Sequence, residues 1–196
     1  MPNVKIPVVK SLPKAGSKGA LAIKDGHIFY DDGYRYVELV ATNHIMGEMA
    51  FYDNSTSTVI TTRNVYTKVN IAASLMMGHS FDMPSNSRLR YIGDEPIMAH
   101  CGCTFSIRSL GVSDICFAVL YKNGGVNGNN EFTSGTQLSH GKVQQKLGSV
   151  DDAASTAIHV MCDMVKGDYL ELGVLNFSDA DDFVVIHMNL FAVGRI

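Results

Sequence analysis

The sequence has no tryptophan, few charges and no long apolar run. Charged residues make up 18% of the 196 residues, the net charge is -3, and Lys and Arg form no cluster longer than a pair. A nucleic-acid-binding protein concentrates positive charge on one surface, so we expect no nucleic-acid partner. The longest apolar runs, such as residues 183–186, are far shorter than a membrane span, so we expect no membrane insertion.

A secretion signal and a disulfide framework are also missing. The N-terminal sequence MPNVKIPVVK lacks the apolar segment of a signal peptide. The four cysteines lie in candidate strands, and the CGC spacing puts Cys101 and Cys103 on one strand face rather than in the CxxC spacing of a zinc site. We therefore expect buried free thiols and synthesis in a reducing cytosol.

The motifs of common enzymes are absent. The seven histidines have no HxxxH, HxH or HExxH spacing, and no GxSxG sequence occurs. We expect no enzymatic activity, no catalytic residue, no cofactor and no bound metal. One alternative stays open at SDADD, residues 178–182, whose three carboxylates fit either a calcium site or a solvated turn.

Short alternating segments separated by Gly, Asn and Asp dominate the sequence. No long window has the spacing of an amphipathic helix, and SVDDAAST offers at most one helical turn. Many short strands with such turns indicate an all-β sandwich or barrel. The strand candidates are ALAIK, HIFYD, RYVELV, NVYTKVN, MAHCGCTFSIRS, DICFAVLYK, TAIHVMCDMV, DYLELGVLN and FVVIHMNLFAV.

The last strand candidate is apolar on both faces. Strict alternation predicts a core face of Val184, Ile186, Met188, Leu190 and Ala192. The opposite face then carries Phe183, Val185, His187, Asn189, Phe191 and Val193. A strand with solvent on one side should be polar there, so something must cover this second face.

The first 40 residues differ in composition from the rest. They contain three of the five prolines and few core positions, followed by a hairpin with the turns KDG and DDG. This segment is either a frayed arm or an anchor that orders on a partner, and its strand-forming aromatics favour the anchor. We predict an arm and hairpin over residues 1–40, a linker over 41–47 and a β domain over 48–196. The predicted anchor residues are Ile6, Val8, Leu12, Phe29 and Tyr30.

Four segments together resemble a known family. In order, they are GEMAFYDNSTSTVITTRNVYTKVN, FDMPSNSRLRYIG, SDICFAVLYKNGG and GDYLELGVLNFSDADDFVVIHMNLFAVG. They look like the C1q and tumour-necrosis-factor type jelly rolls of phage and large-virus virion proteins, with NVYTKV resembling the first strand. The resemblance covers about three quarters of the chain, from residue 48 to residue 196. It implies an antiparallel jelly-roll sandwich.

The resemblance also implies a homotrimer. In this family the sheet that contains the last strand turns its outer face to the threefold axis, which would cover the second apolar face. The implied interface residues are Val185, His187, Phe191, His159 and Met161. A monomeric sandwich with a few exposed apolar side chains remains the alternative.

A virion protein is the function that the resemblance implies. The chain is expected to be a capsid decoration or head-fibre protein, attached by its N-terminal arm to the major capsid or tail protein and assembled into virions in the host cytoplasm. The alternative is a tail or fibre protein that binds a host receptor, with Asn127, Asn129 and Asn130 in the contacting loop. A secreted cytokine-like ligand is a third class, which the missing signal peptide disfavours.

Overall fold

The computed structural model describes residues 6–16, 18–25, 27–39 and 45–195. The chain forms two compact units, residues 1–43 (unit 1) and residues 44–196 (unit 2). Within the described residues the only helix is one 3-10 turn, Ser139–Gly141. None of the described helical structure has the length and apolarity of a membrane span.

Unit 1 contains a three-stranded antiparallel sheet. Its strands, in spatial order, are β1 (Leu21–Lys24), β2 (His27–Asp31) and β3 (Tyr36–Glu38). Lys24 pairs with His27, so the loop between β1 and β2 has two residues. The first of them, Asp25, has a φ of 51°, as a tight hairpin turn requires, and the second, Gly26, lies outside the described residues. The predicted KDG turn is therefore described only in part.

Backbone pairing and a buried carboxylate connect the N-terminal segment of unit 1 to this sheet. Val8 forms a parallel bridge with Ile23. The buried carboxylate of Asp31 accepts hydrogen bonds from the backbone N–H groups of Gly16, at 2.9 Å, and Gly33, at 2.8 Å. A carboxylate that accepts backbone N–H groups from two loops holds them together. The described part of the N-terminal segment is thus paired with the hairpin.

Unit 2 is a sandwich of two antiparallel sheets. One sheet has five strands in the order β13-β9-β15-β4-β6. The other has seven strands, with the order β11-β10-β14-β8-β7 and with β12 on β10 and β5 on β14. The strand bounds are β4 (Ile45–Phe51), β5 (Thr67–Lys68), β6 (Ser74–His79), β7 (Phe81–Ser85), β8 (Arg88–Tyr91), β9 (Ile97–Ser109), β10 (Asp114–Lys122), β11 (Thr136–Gln137), β12 (Val143–Leu147), β13 (Ala153–Met164), β14 (Tyr169–Asn176) and β15 (Phe183–Arg195).

The eight main strands form four nested pairs. β4 pairs with β15, β8 with β14, β9 with β13 and β10 with β12, all antiparallel. Successive pairs alternate between the five-stranded and the seven-stranded sheet. One long hairpin wrapped around two sheets in this way is a jelly roll. The predicted all-β, antiparallel jelly-roll fold is confirmed.

Several predicted strand positions are wrong. NVYTKVN contributes only the two-residue strand β5, and the first strand of the sandwich is β4 instead. Residues 45–47, which we assigned to the linker, are the start of β4, whereas residues 41–44 of that linker lie outside the described residues. SVDDAAST contains no helix, consistent with the expected limit of one helical turn, and its last four residues are the start of β13. β6, β7, β11 and β12 were missed because they are short or lack regular alternation.

The core lies between the two sheets and contains the cysteines. All four, Cys101, Cys103, Cys116 and Cys162, are buried and free. Burial raises the pKa of the Cys103 and Cys116 thiols, because a low-dielectric surrounding disfavours the thiolate. These thiols therefore serve as small core side chains rather than as nucleophiles.

A β-bulge in β15 corrects the predicted alternation of the last strand. Val185 pairs with Ile107 and His187 with Ser106, so Ile186 is an extra residue between them. The bulge shifts the side-chain phase by one residue. Before it, Phe183 and Val185 point into the core; after it, the core residues are Met188, Leu190 and Ala192. The assignment of Ile186 to the core face, and of Phe183 and Val185 to the outer face, is wrong, whereas Val184 is buried but lies outside the core cluster.

Candidate functional site: the outer face of the five-stranded sheet

The outer face of the five-stranded sheet carries two adjacent rows of apolar and histidine side chains. Residues paired directly across neighbouring strands share a face, so the pairings define each row. One row consists of His79, Met46, Val193, His100 and Met161. The next row consists of Met77, Glu48, Phe191, Gly102 and His159. We call these ten residues the sheet-face patch.

The described chain leaves this patch accessible to solvent. Met161 is 51% exposed, Val193 is 43% exposed and Met77 is 39% exposed. His100 and His159 are also exposed. Single exposed apolar side chains are ordinary, but a contiguous group on a flat sheet face is typical of an interaction surface.

Phe191 lies on the patch over a glycine of the neighbouring strand. A Cβ atom at Gly102 would lie 2.4 Å from the Cζ atom of the Phe191 ring, so no larger residue fits there while the ring stays in place. Glycine inside a strand often marks such a close approach. The sequence contained this signal in CGC, between Cys101 and Cys103, but it did not reveal which side chain would approach.

His100 and His159 meet beside this ring. Nε2 of His100 is 3.3 Å from Nδ1 of His159, and the two ring planes differ by 18°. The Phe191 ring contacts both imidazoles edge-on, with centroid distances of 5.8 Å and 6.3 Å. The two histidines are 59 residues apart in the sequence, so no spacing motif could show that β9 and β13 bring them together.

A shallow groove of about 590 Å³ continues from the patch along the same sheet face. Tyr52 and His187 line one side of it, with their ring centroids 6.1 Å apart. On the strands β9 and β13 its lining includes the small side chains Ser106, Ser155 and Thr156, and the hydroxyls of Ser106 and Ser155 are 2.8 Å apart. Beside the groove, Asn189 donates a hydrogen bond to Glu48. Hydroxyl and amide groups thus line the groove together with apolar atoms.

The predicted interface residues fall into two groups. Phe191, His159 and Met161 belong to the sheet-face patch, and His187 lies on the same face beside the groove. Val185 does not, because the bulge places it in the core with no exposed surface. That a second copy of the chain contacts the other four remains a prediction.

The loop predicted to contact a receptor is folded onto its own domain. The Asn127 side chain donates to Glu131 at 2.8 Å and accepts from the backbone N–H groups of Asn129 and Glu131. The carbonyl of Asn130 accepts a hydrogen bond from the backbone N–H of Lys68. Asn127, Asn129 and Asn130 are all exposed, but the Asn127 side chain is already occupied in holding the loop.

The predicted anchor residues lie in unit 1 with differing exposure. Val8 is 77% exposed, whereas Ile6, Leu12, Phe29 and Tyr30 are partly buried. The structure exposes other apolar side chains of unit 1 that the sequence did not single out. These are Ile28, Tyr34, Val37 and Leu39.

The acidic turn lies next to a carboxylate from the start of β10. Asp179 and Asp181 lie close to the buried Asp114, with one oxygen of each within 4.8 Å of the others. Asn176 donates from its side-chain amide to Asp114 and Asp179, which partly compensates their charge from within the chain. The pKa of Asp181 is raised, chiefly by the charge of Asp179. The calcium site and the solvated turn therefore both stay open as alternatives.

No protein-family model and no curated protein matches the chain. Among solved structures it is similar to Eiger TNF from S. frugiperda, at 12% identity and a TM-score of 0.49, over 79% of this chain and 94% of that chain. Murine APRIL at pH 5.0 has 12% identity and a TM-score of 0.47, over 76% of this chain and 98% of that one. The PRD1 vertex protein P5 has 11% identity and a TM-score of 0.43, over 80% and 99%. At such low identities and TM-scores, these similarities say nothing about partners, and the fold assignment rests on the strand order.

Proposed function

We propose that this protein is a homotrimeric virion structural protein, a capsid decoration or head-fibre protein without enzymatic activity. The observation that carries the proposal is the sheet-face patch, which a monomer leaves in water. Phe191, Met161 and Val193 lie on adjacent rows of one flat surface, so a second copy of the chain can cover them together. The virion role follows from the resemblance of residues 48–196 to virion jelly rolls.

A closed ring of copies suits this surface better than an open chain. Side chains of the sheet-face patch point away from the sheet plane, so stacking faces around an axis buries them without extending the sheet. Cyclic closure leaves no unpaired interface from which a fibre could grow. An obligate interface of this kind buries roughly 2,000 Å² or more in total.

Attachment to the particle is assigned to unit 1. It is a compact unit separate from the jelly roll, and it exposes Val8, Tyr34 and Leu39, at 77%, 94% and 51%. Three copies of a weak anchor on one trimer bind more tightly than a single copy does, because docking of the first raises the effective concentration of the others to about millimolar. The proposed partner is the major capsid or tail protein, which places the protein in the virion.

Receptor binding has less support as the main role. In the loop that we selected for it from the sequence, the side-chain oxygen of Asn127 already accepts two hydrogen bonds, from the backbone N–H groups of Asn129 and Glu131. Glycan sites also stack aromatic rings on the sugar, and the chain has no tryptophan.

Light scattering coupled to size exclusion tests the trimer. The wild type at micromolar concentration should have three times the chain mass of 21.3 kDa. Phe191→Asp should yield a single-chain mass, because it would bury an unpaired carboxylate in the interface. Phe177→Asp is the matched control, since Phe177 is an aromatic residue that is 47% exposed in the loop after β14. A wild type with the mass of one chain, or a Phe191→Asp variant that is still trimeric, would refute the proposed interface.

Deletion of residues 1–43 tests the anchor. The remaining unit 2 contains the whole jelly roll. It should still form a trimer, with three times the mass of the shortened chain. It should no longer decorate particles that lack the native protein, whereas the full chain should. Native occupancy by the truncated trimer would show that the jelly roll carries the attachment.

A further inference from the structure

We propose that His100 and His159 form a bidentate site for a divalent transition-metal ion such as Zn²⁺. The two imidazoles belong to one chain, so the pair exists whether or not the protein is a trimer. Imidazole nitrogen is a preferred ligand of zinc and of the other later divalent ions of its series. The site differs from the acidic turn, which offers only carboxylates.

The distance between the two nitrogens fits such an ion. Nε2 of His100 and Nδ1 of His159 are 3.3 Å apart. Two nitrogens that each bind a tetrahedral zinc ion at about 2.0–2.1 Å lie about 3.3–3.4 Å from each other. The imidazoles are therefore already at the separation that one shared ion requires.

The ring orientation needs only a modest adjustment. The centroids are 5.3 Å apart, well beyond the distance between the two nitrogens, so the rings approach through their nitrogen edges. In a tetrahedral complex, each bond from a nitrogen to the metal makes an angle of about 35° with the line that joins the two nitrogens. Each ring must therefore rotate until its lone pair points along that direction. Both side chains are exposed in the single chain, so they have room for this rotation there.

The proton balance is also simple. Without metal, one imidazole donates its N–H to the lone pair of the other. In the metal-bound pair, both neutral rings carry their proton on the far nitrogen, Nδ1 of His100 and Nε2 of His159. The change is a tautomeric shift in one ring with no net proton gained or lost.

The backbone holds the two histidines at this spacing. His100 pairs with Met161 and His159 pairs with Gly102, so the two rings are diagonal neighbours on adjacent strands of a long antiparallel ladder. The Phe191 ring closes one side of the pair. Two protein ligands leave further coordination positions for water, and in the trimer for a side chain of a neighbouring copy.

Calorimetric titration of the untagged full chain with Zn²⁺ tests the site. We expect saturable binding in the wild type and a loss of about tenfold or more in affinity in both His100→Gln and His159→Gln. His79→Gln and His187→Gln are matched controls on the same sheet face and should bind as the wild type does. Visible absorption of Co²⁺, which reports nitrogen ligation, should disappear in the same two variants.

Two results would overturn the site. One is a wild type that binds no Zn²⁺ at millimolar concentration; the other is an equal small loss in all four variants, which would indicate unspecific binding to surface imidazoles. The mass of each variant is measured separately in EDTA. A monomer in EDTA would contradict the proposed trimer and leave the metal result to be judged by itself.

Discussion

The outer faces of the two sheets of unit 2 differ in whether the chain covers them. Both sheets carry apolar side chains on both sides, but the seven-stranded sheet covers its outer face with its own chain, whereas the five-stranded sheet leaves its outer face in solvent. On the covered face Tyr121 stacks on Phe132, with centroids 3.9 Å apart, and Tyr66 meets Tyr121 edge-on. On the open face, by contrast, Met161 is half exposed.

The covered face also contains a buried ion pair. Glu171, on β14, has no exposed surface, and one of its oxygens accepts from Lys68 at 2.6 Å and from Arg88 at 3.0 Å. Lys68 belongs to β5 of the same sheet, and its backbone N–H donates to the carbonyl of Asn130 in the loop that carries Phe132, so the ion pair lies next to the segment that covers the sheet. An apolar outer face thus predicts that something covers it, but the cover can be a loop of the same chain or another molecule.

We expect the largest loss of stability from a substitution of Glu171, which removes the buried ion pair of the covered face. Glu171→Ala leaves the two cations without their carboxylate, and we expect the free energy of unfolding to fall by about 3 kcal/mol or more, as is usual when one partner of a buried pair is removed. Chemical denaturation measures this.

The matched control for this prediction is an exposed ion pair. Asp94 and Lys166 are 2.6 Å apart, but their side chains are 83% and 62% exposed. Asp94→Ala should cause no measurable change in the free energy of unfolding. Equal effects of the two substitutions would mean that the Glu171 pair is not buried in solution.

The next prediction compares the two faces through one partly buried phenylalanine on each. Phe132 lies on the covered face and Phe191 on the open face. Phe132→Ala removes the ring stacked on Tyr121 and should lower the free energy of unfolding by about 2 kcal/mol without changing the mass of the assembly. Phe191→Ala should weaken assembly, measured as a shift from trimer to monomer on dilution. If Phe191→Ala changes only the unfolding and never the mass, the open face is not an interface.

The smallest effect concerns the loop between β14 and β15, which links the two sheets. The raised pKa of Asp181, due first to the charge of Asp179, means that the folded chain binds this proton more tightly than the unfolded chain does. The stabilisation is present in acid and is lost as the pH rises through the folded pKa. Asp181→Asn should therefore raise the melting temperature slightly at pH 7.

Thermal melts at two pH values check the sign. The difference between Asp181→Asn and the wild type should vanish below about pH 3, where the carboxyl is protonated in both states. A difference that persists unchanged in acid would show that Asp181 acts through its shape rather than its charge.

Much of the fold could be predicted from the sequence, because local alternation survives in the long strands. The segments of β9, β10, β13, β14 and β15 all contain enough residues for period two to be visible. Short strands such as β11 have too few residues to show a period. The bulge at Ile186 could not be predicted either, because an extra residue is set by the pairing with β9 and leaves no mark in composition.

By itself the sequence determined that the chain is an all-β sandwich and that its last strand is apolar on both faces. Only the tertiary structure decided which residues share a face. His100 and His159 meet because β9 and β13 are paired in one register, and Phe191 fits because Gly102 lies opposite it. Alternation along a strand is a local property of the chain, whereas register between strands depends on the summed packing of the whole core, so sequence patterns specify the first and not the second.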